Sequence, residues 1–172
     1  MREGEVRYTM LGVRIVPRNN APEWWFYHLE RTTLEHAVGP LLEKCLERGW
    51  RVLAVSERPE RRAALDEALW TYADGSFLAH GRVEAEGLDP ADQPVLISDK
   101  TDNLNEAAAC LLMDGAEVPT DAMFERCMVM FDGGDGATRD LARQQFKAAK
   151  DAGHTVRYFQ QTGRGGWKEA GN

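Results

Sequence analysis

The chain has 172 residues and a formal net charge of −7, with 28% charged and 43% hydrophobic residues. That length suits one domain with a core of its own, and the composition excludes wholesale disorder. The acidic balance excludes a broad nucleic-acid-coating surface, which needs an excess of Lys and Arg.

The charge is unevenly spread. Residues 1–23 carry four Arg and three Glu, residues 24–137 carry ten basic and 22 acidic groups, and residues 138–172 carry seven basic and three acidic groups. The successive balances are +1, −12 and +4, so basic charge gathers in the last stretch and points to a local anionic partner site. Residues 1–23 read as an N-terminal extension, weakly strand-like at Val6–Met10 and Leu11–Val16, with a linker at Pro17–Pro22. They lack the long apolar stretch of a secretory signal.

From Trp24 a repeating grammar begins. Trp24–Leu29 is aromatic and apolar, the pattern of a buried strand. Thr32 or Thr33 can cap a helix running to about Arg48, with Leu34, Ala37, Val38, Leu41, Leu42, Cys45 and Leu46 on one face. Pro40 interrupts it and Gly49 ends it. Val52–Val55 is a β-branched strand. Ser56 is a candidate cap for a second helix, with Pro59 in its first turn, ending near Trp70. Residues 71–94 read as a long irregular connection with a short apolar piece at Phe77–Leu78. Val95–Ser98 and Ala109–Met113 are further strands. Thr120 and Asp121 can open a short helix, Cys127–Phe131 is a strand, a strong helix runs from about Thr138 to Ala152, and Thr155–Gln160 is a final strand. Short apolar strands alternating with helices predict a parallel or mixed α/β sheet with helices on both faces. Residues 24–172 then form a single domain.

The three cysteines, Cys45, Cys110 and Cys127, are scattered and odd in number, so neither a zinc pattern nor a disulfide framework is visible. Cys110 and Cys127 sit in apolar runs and read as buried thiols in a reducing cytoplasm. No run of 18 apolar residues marks a membrane span. His28, His36, His80 and His154 have no metal-ligand spacing. Ser98 follows a strand without the flanking glycines of a nucleophile elbow.

Three features carry candidate chemistry. The turn Asp132-Gly133-Gly134-Asp135-Gly136 follows a strand and opens a helix, a place where backbone N–H groups can meet phosphate. With Asp99 and Asp114 at other strand ends, it supports an alternative reading as a nucleotide- or Mg²⁺-dependent phosphoryl-transfer enzyme using the 132–136 loop. The dinucleotide fingerprint is incomplete there and no Walker A pair is present. The second feature is a basic stripe, Arg139, Arg143 and Lys147, spaced i, i+4, i+8 on one helix, with Phe146 beside it and Lys150 near. Such a stripe suits capture of a carboxylate-bearing peptide with an aromatic anchor. The third is the aromatic pair Trp70 and Phe77, candidates for a protein interface. A weaker reading has the basic tail bind single-stranded DNA with Trp167 as a stacking platform.

The ordered segments FYHLE (26–30), LLEKCLERGWRV (41–52), LDEALWTY (65–72), SFLAHG (76–81), MDGAE (113–117), FER with MFDG (124–133), ARQQFKAAKDAGH (142–154) and RYFQQTGRGGWK (157–168) resemble the chi subunit of bacterial DNA polymerase III, in an alphaproteobacterial flavour. The resemblance spans about residues 25–169. It implies a Rossmann-like α/β fold, an open and mostly parallel sheet without catalysis or cofactor. It implies a cytoplasmic DNA-replication adaptor that binds the acidic C-terminal tail of single-stranded DNA-binding protein and links it to the clamp loader. Its contact with DNA is then indirect and it has no membrane partner. The family's tail-binding positions fall on Arg139, Arg143, Phe146 and Lys147. Its partner-facing aromatics fall on Trp70 and Phe77, the partner being the psi subunit or another clamp-loader or helicase protein. One position departs from the family pattern: Asp132 aligns near an apolar wall of the tail site, where a carboxylate repels an acidic ligand.

Overall fold

The computed structural model describes residues 22–119 and 122–171. The strand-like stretches read within residues 6–16, and the capping pair Thr120 and Asp121, lie outside these described residues. The elements are β1 (Glu23–Leu29), α1 (Leu34–Glu47), β2 (Val52–Val55), α2 (Pro59–Thr71), β3 (His80–Arg82), β4 (Val95–Ser98), β5 (Ala109–Leu112), β6 (Arg126–Asp132), α3 (Gly136–Asp151), β7 (Val156–Gln161) and β8 (Trp167–Glu169), with one 3₁₀ turn at Pro90–Asp92.

The strands make one sheet in the order β3-β4-β2-β5-β6-β1-β7-β8. All neighbours run parallel except β8, which returns antiparallel along β7. Parallel strands need their crossovers on the sheet faces, and helices form three of these connections, β1 to β2, β2 to β3 and β6 to β7. On one face α1 sets Leu34, Val38, Leu42 and Cys45, and α2 sets Leu65 and Leu69, against Ala54, Ile97, Leu111 and Met128. On the other face α3 lays Ala142 and Phe146 against Phe26, Cys127, Val129 and Phe131. The central strands β2, β4 and β5 are buried throughout, which is why they read as unbroken apolar runs. The sheet is thus the α/β, Rossmann-like open sheet with helices on both faces that the sequence implied.

Several details differ from the sequence reading. Ser56 does not cap α2: Arg58 occupies that position, and the Ser56 hydroxyl instead accepts from Arg58 N–H at 3.2 Å and donates to Asp114 at 2.6 Å. Residues 122–125, between Asp121 and β6, form no helix. Ala122 N–H closes one turn on Pro119, and buried Phe124 draws the chain into β6. The 71–94 connection contains β3, which pairs only with β4 at the sheet edge. Val156–Gln161 is not the final strand, because β8 follows it. Helix α1 continues through Pro40 without a break. Gly49 and Gly153 do end α1 and α3, with φ of +76° and +81° that only glycine adopts without strain.

Candidate peptide-binding site

Helix α3 begins where Asp135 accepts N–H bonds from Ala137 at 3.0 Å and Thr138 at 3.3 Å, an N-cap that fixes the helix start against the end of β6. Its first two turns overlie the carboxyl ends of β1 and β6. Between them lies a cavity of about 320 Å³ lined by His28, Phe131, Arg139, Ala142, Arg143, Phe146, Tyr158, Ala170 and Gly171. Three of the four residues of the sequence-predicted stripe and its aromatic neighbour, Arg139, Arg143 and Phe146, therefore converge on one opening.

The walls are a set of rings in contact. Phe146 meets Phe26 and Tyr158 edge-on at 5.2 and 6.0 Å, and His28 stacks on Phe131 at 5.1 Å. The polar groups are fewer. His28 Nδ1 and the Tyr158 hydroxyl are 2.7 Å apart. Arg139 donates from Nη1 to the Gly133 carbonyl at 3.4 Å, and its buried Nε has no partner. Arg143 is largely exposed and makes a loose pair with Asp140 at 3.5 Å, a contact that contributes little and is easily exchanged. An apolar cavity with two guanidinium groups beside it can hold an aromatic side chain while pairing with carboxylates.

Lys147 is not part of this cavity. Its side chain is 81% exposed and pairs with Asp151 at 3.3 Å. The i, i+4 spacing drifts by roughly 40° per step on a 3.6-residue helix, so two steps carry Lys147 around the helix away from Arg139. Asp132 also lies apart. Strand alternation sends Phe131 to the α3 face and Asp132 away from it. Its carboxylate accepts from Gly134 N–H at 2.8 Å and borders a separate cleft. The repulsion expected of Asp132 thus falls outside the cavity wall.

Sequence reasoning missed His28, Phe131 and Tyr158 as lining residues. They come from three strands that are adjacent only in the folded sheet, where His28 pairs in register with Phe131 and Phe26 with Tyr158. The available signal was alternation: Trp24, Phe26 and His28 share one face of β1. Gly133 matters to the same wall, since a methyl group there would overlap the His28 ring.

The structure gives the 132–136 loop a different job from phosphate binding. The N–H groups of Gly134 in the loop, and of Ala137 and Thr138 in the first turn of α3, are already taken by Asp132 and Asp135. Asp99 lies in another hollow, with Lys100 and Asp102. Asp114 is held in an ionic network: Arg61 donates to both its oxygens at 3.0 Å, Ser56 donates at 2.6 Å, and Arg61 also pairs with Glu35. Burial alone pushes the Asp114 carboxyl up, but the hydrogen bonds from Arg61 and Ser56 and the charges of Arg61 and Arg58 outweigh it and hold the group below the usual carboxylate range. Among the described residues no three His, Cys, Asp or Glu side chains come together as a metal-holding group. No helix of the described residues is long and apolar enough to cross a membrane.

The other sequence-predicted pair, Trp70 and Phe77, is brought together at the end of α2. Their rings lie 5.9 Å apart and are 59% and 73% exposed. Trp167 is no free platform: it packs edge-on against Tyr27 at 5.0 Å, and neighbouring Arg157 is paired with Glu169. All three cysteines are buried and unpaired, and burial pushes the Cys127 thiol up to about 12.

A protein of Rickettsia prowazekii (strain Madrid E), described as "Probable DNA polymerase III subunit chi", is 28% identical over 95 residues, 55% of this chain and 54% of the relative. The match thus spans about half the length of that curated protein. The family described as "DNA polymerase III chi subunit, HolC" matches residues 22–157, β1 through the start of β7. The chain belongs to the DNA polymerase III chi subunit family.

Proposed function

We propose that this chi-family chain is a non-catalytic adaptor of the replication machinery that captures the acidic C-terminal tail of single-stranded DNA-binding protein and links it to the clamp loader. The observation that carries this reading is the ring-walled cavity with Arg139 and Arg143 beside it. The tail supplies carboxylates for the guanidinium groups and a terminal Phe for the space between Phe131, Phe146 and Tyr158. DNA contact is indirect, which suits a chain whose body is acidic. The exposed Trp70–Phe77 pair serves as the face for a second protein, the psi subunit or another clamp-loader or helicase component, since aromatic side chains of this kind anchor interfaces. A replication role places the protein in the cytoplasm.

A single short tail buries little surface, so its dissociation constant falls at about the micromolar level, and many tails on coated DNA raise the effective affinity. Calorimetric titration with the tail peptide tests the site. Arg143→Ala weakens binding by about 2 kcal/mol through loss of a charge-assisted pair. Lys147→Ala, outside the cavity and paired with Asp151, costs less than about 0.5 kcal/mol. Equal losses at the two positions refute the cavity as the site.

A further inference from the structure

The cavity contains one polar pair that the basic stripe does not explain. His28, from β1, and Tyr158, from β7, meet through Nδ1 and the phenol oxygen at 2.7 Å. Each is also part of the ring wall, since His28 stacks on Phe131 and Tyr158 meets Phe146 edge-on. Both border the same space as Arg139 and Arg143.

A phenol has one proton to donate and lone pairs to accept with, and an imidazole nitrogen can take either role. The pair can therefore hold its contact with the proton on either partner. A carboxylate can only accept. When one arrives at Tyr158, the phenol must turn its proton to that ligand and receive the His28 Nδ1 proton in return. The phenol is kept in the donor form: burial raises its pKa, Arg143 acts against this, and Glu30 adds to it. Gly133 leaves the room that the His28 ring needs, because any side chain there would collide with it.

An aromatic ring filling the cavity and a carboxylate reaching Tyr158 must be close neighbours in the ligand. A C-terminal aromatic residue carries both on one Cα. Aspartate carboxylates further along a peptide sit outside the cavity, where Arg143 is exposed. From this arrangement we propose that Tyr158 is a specificity-determining residue that donates a hydrogen bond to the ligand's terminal carboxylate, with His28 as the positioning residue behind it. The inference rests on the peptide-capture reading and names the pair of cavity residues that reads the terminal carboxylate.

The experiment uses the full chain and three short acidic peptides ending in Phe: the free acid, its C-terminal carboxamide, and a free acid with Asp replaced by Asn. The unsubstituted protein binds the free acid about tenfold more tightly than the carboxamide, the size of one charge-assisted hydrogen bond. Tyr158→Phe keeps the ring and lowers that preference to about twofold or less, while the penalty for Asn in place of Asp is unchanged. His28→Phe, which keeps a ring against Phe131 but has no N–H, lowers the same preference, and His28→Gln, which keeps an N–H donor, restores part of it. Melting temperatures of the variants confirm that each is folded. An unchanged acid-over-carboxamide preference in Tyr158→Phe overturns the proposal, as does an equal loss of both preferences. Failure of the unsubstituted protein to bind any of the peptides overturns the capture reading itself, and this inference with it.

Discussion

Replacing Gly133 with Ala tests the packing of the cavity wall in a single step. The added methyl overlaps Nε2 and Cδ2 of His28, and the ring has little room to yield, held by its stack on Phe131 and its bond to Tyr158. Gly133 has an ordinary backbone conformation, so the cost is steric rather than conformational. Overpacking of this kind costs about 1–3 kcal/mol. Displacing the ring forfeits a hydrogen bond of about 1 kcal/mol and a ring contact of about 0.5–1 kcal/mol, which places the loss near 2 kcal/mol. Urea denaturation reads this directly, and a thermal melt falls by about 4–8 °C. Adding His28→Ala to Gly133→Ala removes the clash, so the two losses sum to less than their separate values by about 1 kcal/mol or more. Gly136→Ala is the control: the nearest side-chain atom is 4.0 Å from the new methyl, and the helix start tolerates or gains from alanine. A neutral Gly133→Ala, or strict additivity with His28→Ala, would falsify the account of this wall.

The remaining predictions concern other parts of the molecule. Asp114 is held below its ordinary range in the folded state, so the stability it contributes is complete above an unfolded pKa of about 4 and is lost as pH falls through its lower folded value. Denaturation across that acid range shows a shallower loss in Asp114→Asn, and a curve parallel to the original refutes the network's role. Arg61→Leu leaves the Asp114 carboxylate without its main partner and costs about 3 kcal/mol at neutral pH. Cys45, Cys110 and Cys127 are buried with raised thiol pKa values, so a thiol reagent labels them at the rate of unfolding and quickly in denaturant. Phe77→Ser changes the melting temperature by less than about 2 °C, because the ring is largely in water, and weakens capture of the second partner protein in a pull-down.

The fold was legible where burial imposed a simple pattern. The β-branched and aliphatic runs at 52–55 and 95–98 matched β2 and β4 residue for residue, because strands covered on both faces are apolar throughout. The edge strands were not legible. His80-Gly81-Arg82 and Trp167-Lys168-Glu169 are three residues each, and they exist as strands because a neighbour pairs with them. Ser56 looked like a cap because Ser before Pro-containing helices usually is one, and only the fold shows that Asp114, 58 residues later, claims its hydroxyl. The site divides in the same way. Its helical half, Arg139, Arg143 and Phe146, could be read from local spacing. Its strand half, His28, Phe131 and Tyr158, is assembled by β1 lying between β6 and β7, an order that no local pattern encodes.

One buried side chain bears on the kinetics expected of the candidate site. Gln161, at the end of β7, accepts through Oε1 from the backbone N–H groups of Glu30, Arg31 and Thr32 at 3.2, 2.8 and 3.1 Å, and donates through Nε2 to the Thr32 hydroxyl at 2.7 Å. It clasps the chain just after His28 to the strand that carries Tyr158. The strands that carry His28 and Tyr158 are therefore fixed to each other, and on the peptide-capture reading binding requires little rearrangement. On that reading, peptides differing in their fit associate at similar rates and separate by how long they stay, so dwell time is the quantity through which the wall is expected to act.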